Sequence, residues 1–111
     1  MSEDKYEARF DELNALADQF ASAQATAEHL AEFRKSKKSL LMREAEMQGH
    51  KTAAIQEREA YAHRDYIELL AGLKQATESA LAAKWRLEIA RMRFEWARTK
   101  AATRRAEMNL R

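Results

Sequence analysis

Apolar residues recur every three or four positions at the start of the chain: Tyr6, Phe10, Leu13, Ala17 and Phe20. That rhythm puts them on one face of a helix. The stripe thins into alanines (Ala23, Ala27, Ala31) and resumes on a shifted line through Leu30, Phe33, Leu40 and Met47. Nothing from residue 3 to residue 48 breaks a helix, so one long helix is predicted over that span. Ser2 followed by Glu3 and Asp4 supplies a hydroxyl cap and carboxylates near the positive end of the helix dipole. The stretch "FRKSKKS" (33–39) is its least apolar part, the place where a bend or fraying would fall.

Gly49 suits the position after a helix end, where a left-handed backbone is wanted. Thr52 can cap a short helix over about 52–62. Asp65 with Glu68 three residues on has the form of a capping box and predicts a final helix over about 66–109. Gly72 inside it costs about 1 kcal/mol relative to alanine, so a close helix crossing is expected there.

The final helix carries the clearest periodicity. Leu73, Ala80, Leu87, Phe94, Ala101 and Met108 are spaced by seven, and Leu69, Ala76, Ala83, Ala90 and Ala97 form the partner line. Large residues on one line and alanine on the other allow a helix to approach closely. A second apolar stripe runs through Leu70, Leu81, Trp85, Met92 and Trp96. A helix with two apolar faces needs two neighbours. The first helix covers one, and the second predicts a homodimer, forming a bundle, or another protein partner.

Composition fixes the class. The 111 residues include no proline, valine or cysteine, only two glycines, and 23 alanines. Helix formers dominate and β-branched residues are few, so the fold is all-α. After alanine, 28 apolar residues remain, enough for one seam or two. The expectation is a single domain over 1–111: an elongated antiparallel helical hairpin, coiled-coil-like, with a short corner helix. Absent cysteines exclude disulfides and thiolate metal sites. No apolar run approaches the roughly 20 residues that span a bilayer, and the acidic start does not read as a signal peptide. A soluble cytoplasmic protein with no membrane association and no cofactor is the expectation.

Charge is segregated along the chain. Residues 1–33 carry a net −6, residues 34–83 a net +2 and residues 84–111 a net +6. In a hairpin the acidic start lies beside the basic end, so mutual pairing is the plain expectation. The alternative use is a phosphate-binding or acidic-partner face made from Arg34, Lys35, Lys37 and Lys38 with Arg91, Arg93, Arg98, Lys100, Arg104 and Arg105.

No catalytic signature is present: no glycine-rich phosphate loop, no HExxH and no cysteine nucleophile. His50 and His63 straddle the short helix, thirteen residues apart, which is the wrong spacing for a metal site on one helix. Capping or a hydrogen bond at the corner is the better expectation for them, and His29 reads as a surface residue. Gln56, Glu57, Arg58 and Glu59 are candidates for docking a partner at the corner. Against that, Ile55 and Tyr61 would plug the hairpin while the charges face water.

"KSLLMREAEMQGHKTAAIQEREAYAHRDYIELLAGLKQATESA", continuing to "RLEIARMRFEWARTKAATRRAEM", resembles small all-helical proteins of bacteriophages and prophages, over roughly residues 36–108. Those proteins are encoded among early genes of recombination and replication. The resemblance implies a setting in phage DNA metabolism inside a bacterial host and carries over no functional residue. Together these observations predict a non-enzymatic accessory protein. Its expected partner is a recombinase, a nuclease or a single-strand binding protein, with DNA contact through the basic helix end. The alternative is an anti-CRISPR-like inhibitor that docks onto a host defence nuclease.

Overall fold

The computed structural model describes residues 3–110; the predicted cap Ser2 lies outside them. The chain is an all-α helical hairpin of three helices, α1 (Glu3–Met47), α2 (Ala53–Ala62) and α3 (Arg64–Asn109). Helix α1 runs without interruption through "FRKSKKS". Contacts divide the described chain into a corner unit, Ala23–Ala80, and a terminal unit made of residues up to Ser22 with Leu81 onward.

Backbone chemistry explains the corner. Gly49 adopts φ 104°, the left-handed conformation that a residue lacking Cβ reaches at no steric cost. That turn lets Gly49 N–H donate to Glu46 O at 3.0 Å and His50 N–H to Ala45 O at 3.1 Å, which satisfies carbonyls that end the helix. Thr52 then caps α2, its hydroxyl oxygen accepting from Ile55 N–H at 3.2 Å.

Helix α3 begins two residues earlier than expected, because its cap is His63. The His63 carbonyl accepts from Tyr66 and Ile67 N–H, and Nδ1 accepts from Asp65 N–H at 3.0 Å. The Asp65/Glu68 capping box does not form. Glu68 instead pairs with Arg64 at 2.9 Å across one helical turn.

The corner unit has a small core of Leu41, Ala60 and Tyr66, with Met42 packed against it. Ala60 is 1% exposed, so a side chain larger than a methyl has no room there. Ile55 is only half-buried and Tyr61 stays exposed, so the plug is Ala60 with Tyr66. Tyr61 lies edge-on to the Tyr66 ring, 5.3 Å between centroids.

Two expectations fail here on register and space. The buried line of α1 runs through Ala27, Leu41 and Ala45 with Leu30 half-buried between them, so of the expected shifted line Leu30 is partly covered while Phe33, Leu40 and Met47 are exposed. Lys37 and Lys38 occupy the seam positions between Ala27 and Leu41. Their stems are partly covered while the ammonium groups reach Asp65 at 3.6 Å and Glu57 at 3.4 Å. Gly72 marks no close crossing, since a Cβ built there meets nothing within 4 Å.

Candidate interaction surface on the second half of α3

In the terminal unit two helix segments pack alone, so each can bury only one face. The face of α3 that meets α1 is the heptad seam. Ala83 and Phe94 are buried, and Leu87, Ala90, Ala97 and Ala101 are half-buried. Phe94 is the anchor: its ring lies 5.1 Å from that of Phe10 and 6.1 Å, edge-on, from that of Tyr6. Met108, expected on the same seam, is 72% exposed. Lys5 and Tyr6 already stand level with Ala101 and Arg105, so the described part of α1 has almost nothing left to cover it.

The second stripe lies on the opposite face. At about 100° of rotation per residue, Leu81, Trp85, Ile89, Met92 and Trp96 cluster within one quadrant of α3. The first two and last two turn away from the seam, and Ile89 at the edge also lines the groove against α1. All five are exposed, from Ile89 at 43% to Trp96 at 64%. Ile89 belongs to this stripe although its spacing is less regular. Leu70, expected with them, is also exposed but lies in the corner unit.

Basic side chains form two rows at heptad spacing on the flanks of the seam. One row is Lys84, Arg91, Arg98 and Arg105; the other is Arg86, Arg93 and Lys100. No described carboxylate of α1 comes within ion-pair distance of them, although Glu12 lines the same groove as Arg86 and Arg93. Among the described residues of this unit, the one ion pair is Arg91 with Glu88, at 3.4 Å within α3 itself. Asp4, Glu7, Asp11 and Asp18 are exposed and, by their spacing, share a face of α1 away from its Tyr6–Leu13–Phe20 line. Arg98 sits over the Phe94 ring at 6.0 Å, and Lys100 over the Trp96 ring at 4.3 Å. Those contacts order the cations without cancelling their charge.

Arg86 and Arg93 also line a groove of about 550 Å³ with Arg9 and the carboxylate Glu12 of α1, above an apolar floor of Leu13, Leu16, Ile89, Ala90 and Phe94. Arg9, Lys84 and Arg86 were not among the residues expected from the sequence. The signal for Lys84 and Arg86 was present, because each heads a row of cations seven residues apart. Arg9 stands in an acidic segment, and only the packing of α1 on α3 shows it with the arginines.

The other predicted cations behave differently. In the corner unit, Lys35 pairs with Glu32 at 3.4 Å on its own helix, while Lys37 and Lys38 are engaged as described above. Lys38 also lies over the Tyr61 ring at 4.8 Å. Its hydrogen bond to Tyr61 is the largest cause holding it above the ordinary lysine value; partial desolvation, next in size, opposes this, and Glu57 adds to the rise. Arg34 alone of the four has no carboxylate within ion-pair distance.

The corner candidates are likewise engaged. Gln56 donates its side-chain amide to His50 O at 2.8 Å, Glu57 holds Lys38, and Arg58 faces Glu59 at 3.8 Å. His63 Nε2 is 3.9 Å from Glu44 Oε1, and the exposed His29 ring stacks on Phe33. Among the described residues no three His, Asp or Glu side chains converge in a way that could hold a metal ion, and no helix is long and apolar enough to cross a membrane. No protein-family model, curated protein or solved structure matches the chain.

Proposed function

We propose that this chain is a non-enzymatic interaction protein of phage recombination or replication, working through the second half of α3. The exposed stripe Leu81, Trp85, Ile89, Met92 and Trp96 pairs it with a second copy. The cation rows offer charge to nucleic acid or to an acidic protein bound to it. The observation that carries the reading is the surplus of cations. Seven basic side chains stand at heptad spacing on α3 and one of them has a carboxylate partner. Fixed cations without counter-charge gain by neutralising phosphates and releasing their counterions. The phage setting rests on the sequence resemblance.

Titration of a fluorescent single-stranded oligonucleotide at several salt concentrations tests the charge reading. Micromolar or tighter binding at low salt, weakening steeply as salt rises, is expected. Arg86→Gln/Arg93→Gln should flatten that salt dependence by about two contacts. Absence of binding even at low ionic strength sinks DNA contact.

A second reading, inhibition of a host defence nuclease, is favoured by one feature. The exposed carboxylates Asp4, Glu7, Asp11 and Asp18 share a face of α1 at helical spacing. Such a row can occupy a basic nucleic-acid cleft. Co-purification from infected cells with wild type and with Asp11→Asn/Asp18→Asn separates the two, because only the inhibitor reading requires that row.

A further inference from the structure

The α3 stripe has two differently charged edges. Around the helix, Glu88 and Glu95 border it on one side, with Lys84 and Arg91 behind them and Glu88 paired to Arg91, and Arg86, Arg93 and Lys100 border it on the other, each set at seven-residue spacing. From this we infer that the stripe seats the same stripe of a second copy with the two α3 helices parallel and in register. The inference rests on the self-pairing part of the proposed function and adds its direction.

Symmetry decides between the directions. When two parallel helices are related by a twofold axis along their length, the left edge of each faces the right edge of the other. Glu88 and Glu95 of one copy then oppose the Arg86, Arg93 and Lys100 edge of its mate, on both sides of the seam. In an antiparallel pair each edge faces its own copy, so glutamates meet glutamates and arginines meet arginines. The parallel order sets glutamates against cations on both edges, whereas the antiparallel order sets the Arg86, Arg93 and Lys100 rows of the two copies against each other.

Area and spacing support a second copy as the occupant. Five large side chains exposed by about half leave on the order of 500 Å² of apolar surface, and a symmetric pair covers about twice that, reaching the roughly 1,000 Å² a specific interface must clear. Leu81 to Met92 and Trp85 to Trp96 are both eleven residues apart. That repeat is close to a whole number of turns, so the stripe keeps its bearing along α3 and identical stripes match over their length. Lys100, already over Trp96 at 4.3 Å, extends the basic edge along the end of the stripe. Parallel pairing brings the two cation-rich ends of α3 together, which doubles the positive charge at one end of the pair.

The chain has no cysteine, so a single introduced thiol reports the direction cleanly. Thr99 is exposed, lies on the stripe's line near its end, and gives up only a hydrogen bond to Glu95 O when changed. Full-length Thr99→Cys, mildly oxidised, is expected to form an interchain disulfide, abolished by adding Trp85→Ala/Trp96→Ala. Asp11→Cys on α1 serves as the control that stays uncrosslinked. Glu88→Lys/Glu95→Lys should weaken pairing roughly tenfold at low salt, and adding Arg86→Glu/Arg93→Glu in the same chain should restore it.

A dimer by light scattering without the Thr99→Cys disulfide overturns the parallel order and leaves self-pairing intact. A monomer at high micromolar concentration overturns both, while oligonucleotide binding still reports separately on the cation rows.

Discussion

The corner unit and the terminal unit are built from the same two long helices, yet they dispose of their side chains in opposite ways. In the corner unit α2 supplies a third element. It contributes Ala60 to the core with Leu41 and Tyr66, and it brings Glu57 to Lys38. In the terminal unit there is no third element, so α3 covers one face and leaves Trp85, Met92 and Trp96 in solvent. Charges follow the same division. Three of the four cations in "RKSKK" have carboxylate partners, against one of the seven in the two α3 rows. A hairpin of two helices has more faces than it can satisfy, and the ten residues of α2 decide which end is finished.

The largest effect should come from the finished core. Leu41→Ala deletes a side chain that is 4% exposed and should cost about 2–4 kcal/mol in urea unfolding. Trp85→Ala, at 59% exposed, should change the stability of the monomer by less than about 0.5 kcal/mol. Equal losses in dilute solution would erase the contrast between the units.

The two glycines should respond with opposite signs. Gly49→Ala forces a Cβ into φ 104° and should destabilise by about 1 kcal/mol or more. Gly72→Ala has open space and a helical backbone, so it should stabilise by up to about 1 kcal/mol. Thermal unfolding of the pair checks both, and a destabilising Gly72→Ala would reveal a close approach there after all.

The caps come next. Thr52→Ala and His63→Ala should each cost about 1 kcal/mol, with His63→Asn retaining most of the stability because it keeps an acceptor for the Asp65 N–H. Hydrogen exchange should quicken at the first turns of α2 and α3 in the alanine variants and stay unchanged in the terminal unit.

The smallest effect is electrostatic. Lys38 is held above its ordinary value, so its contribution is complete below about 10.5 and is lost only as pH rises through the folded value. Stability from this group should be flat from pH 6 to 9 and fall beyond the ordinary lysine range. Lys38→Gln should remove that alkaline component, and a difference already growing between pH 6 and 8 would contradict the sign.

Much of this was written in the chain. The helix class, the Gly49 turn, the Thr52 cap and the α3 seam all follow from residue type and spacing, because those are local properties of backbone and period. The starting residue of α3 was not legible: an Asp three before a Glu outlines a capping box, but a histidine whose Nδ1 reaches the same donor took the role. The partner status of Lys37 and Lys38 was hidden too. A run of cations reads as a solvated face until the register of α1 puts two of them in the seam.

For the candidate surface the division is sharper. The two apolar stripes of α3 and the strongly basic second half could be read from residue order alone, since period and charge need no fold to exist. Which stripe α1 covers, and which cations lack a carboxylate within ion-pair distance, became visible only with the packing of α1 on α3. The reason is geometric. A period fixes which side chains share a face, while what that face meets depends on contacts between residues nearly ninety positions apart, as Tyr6 on Phe94 illustrates.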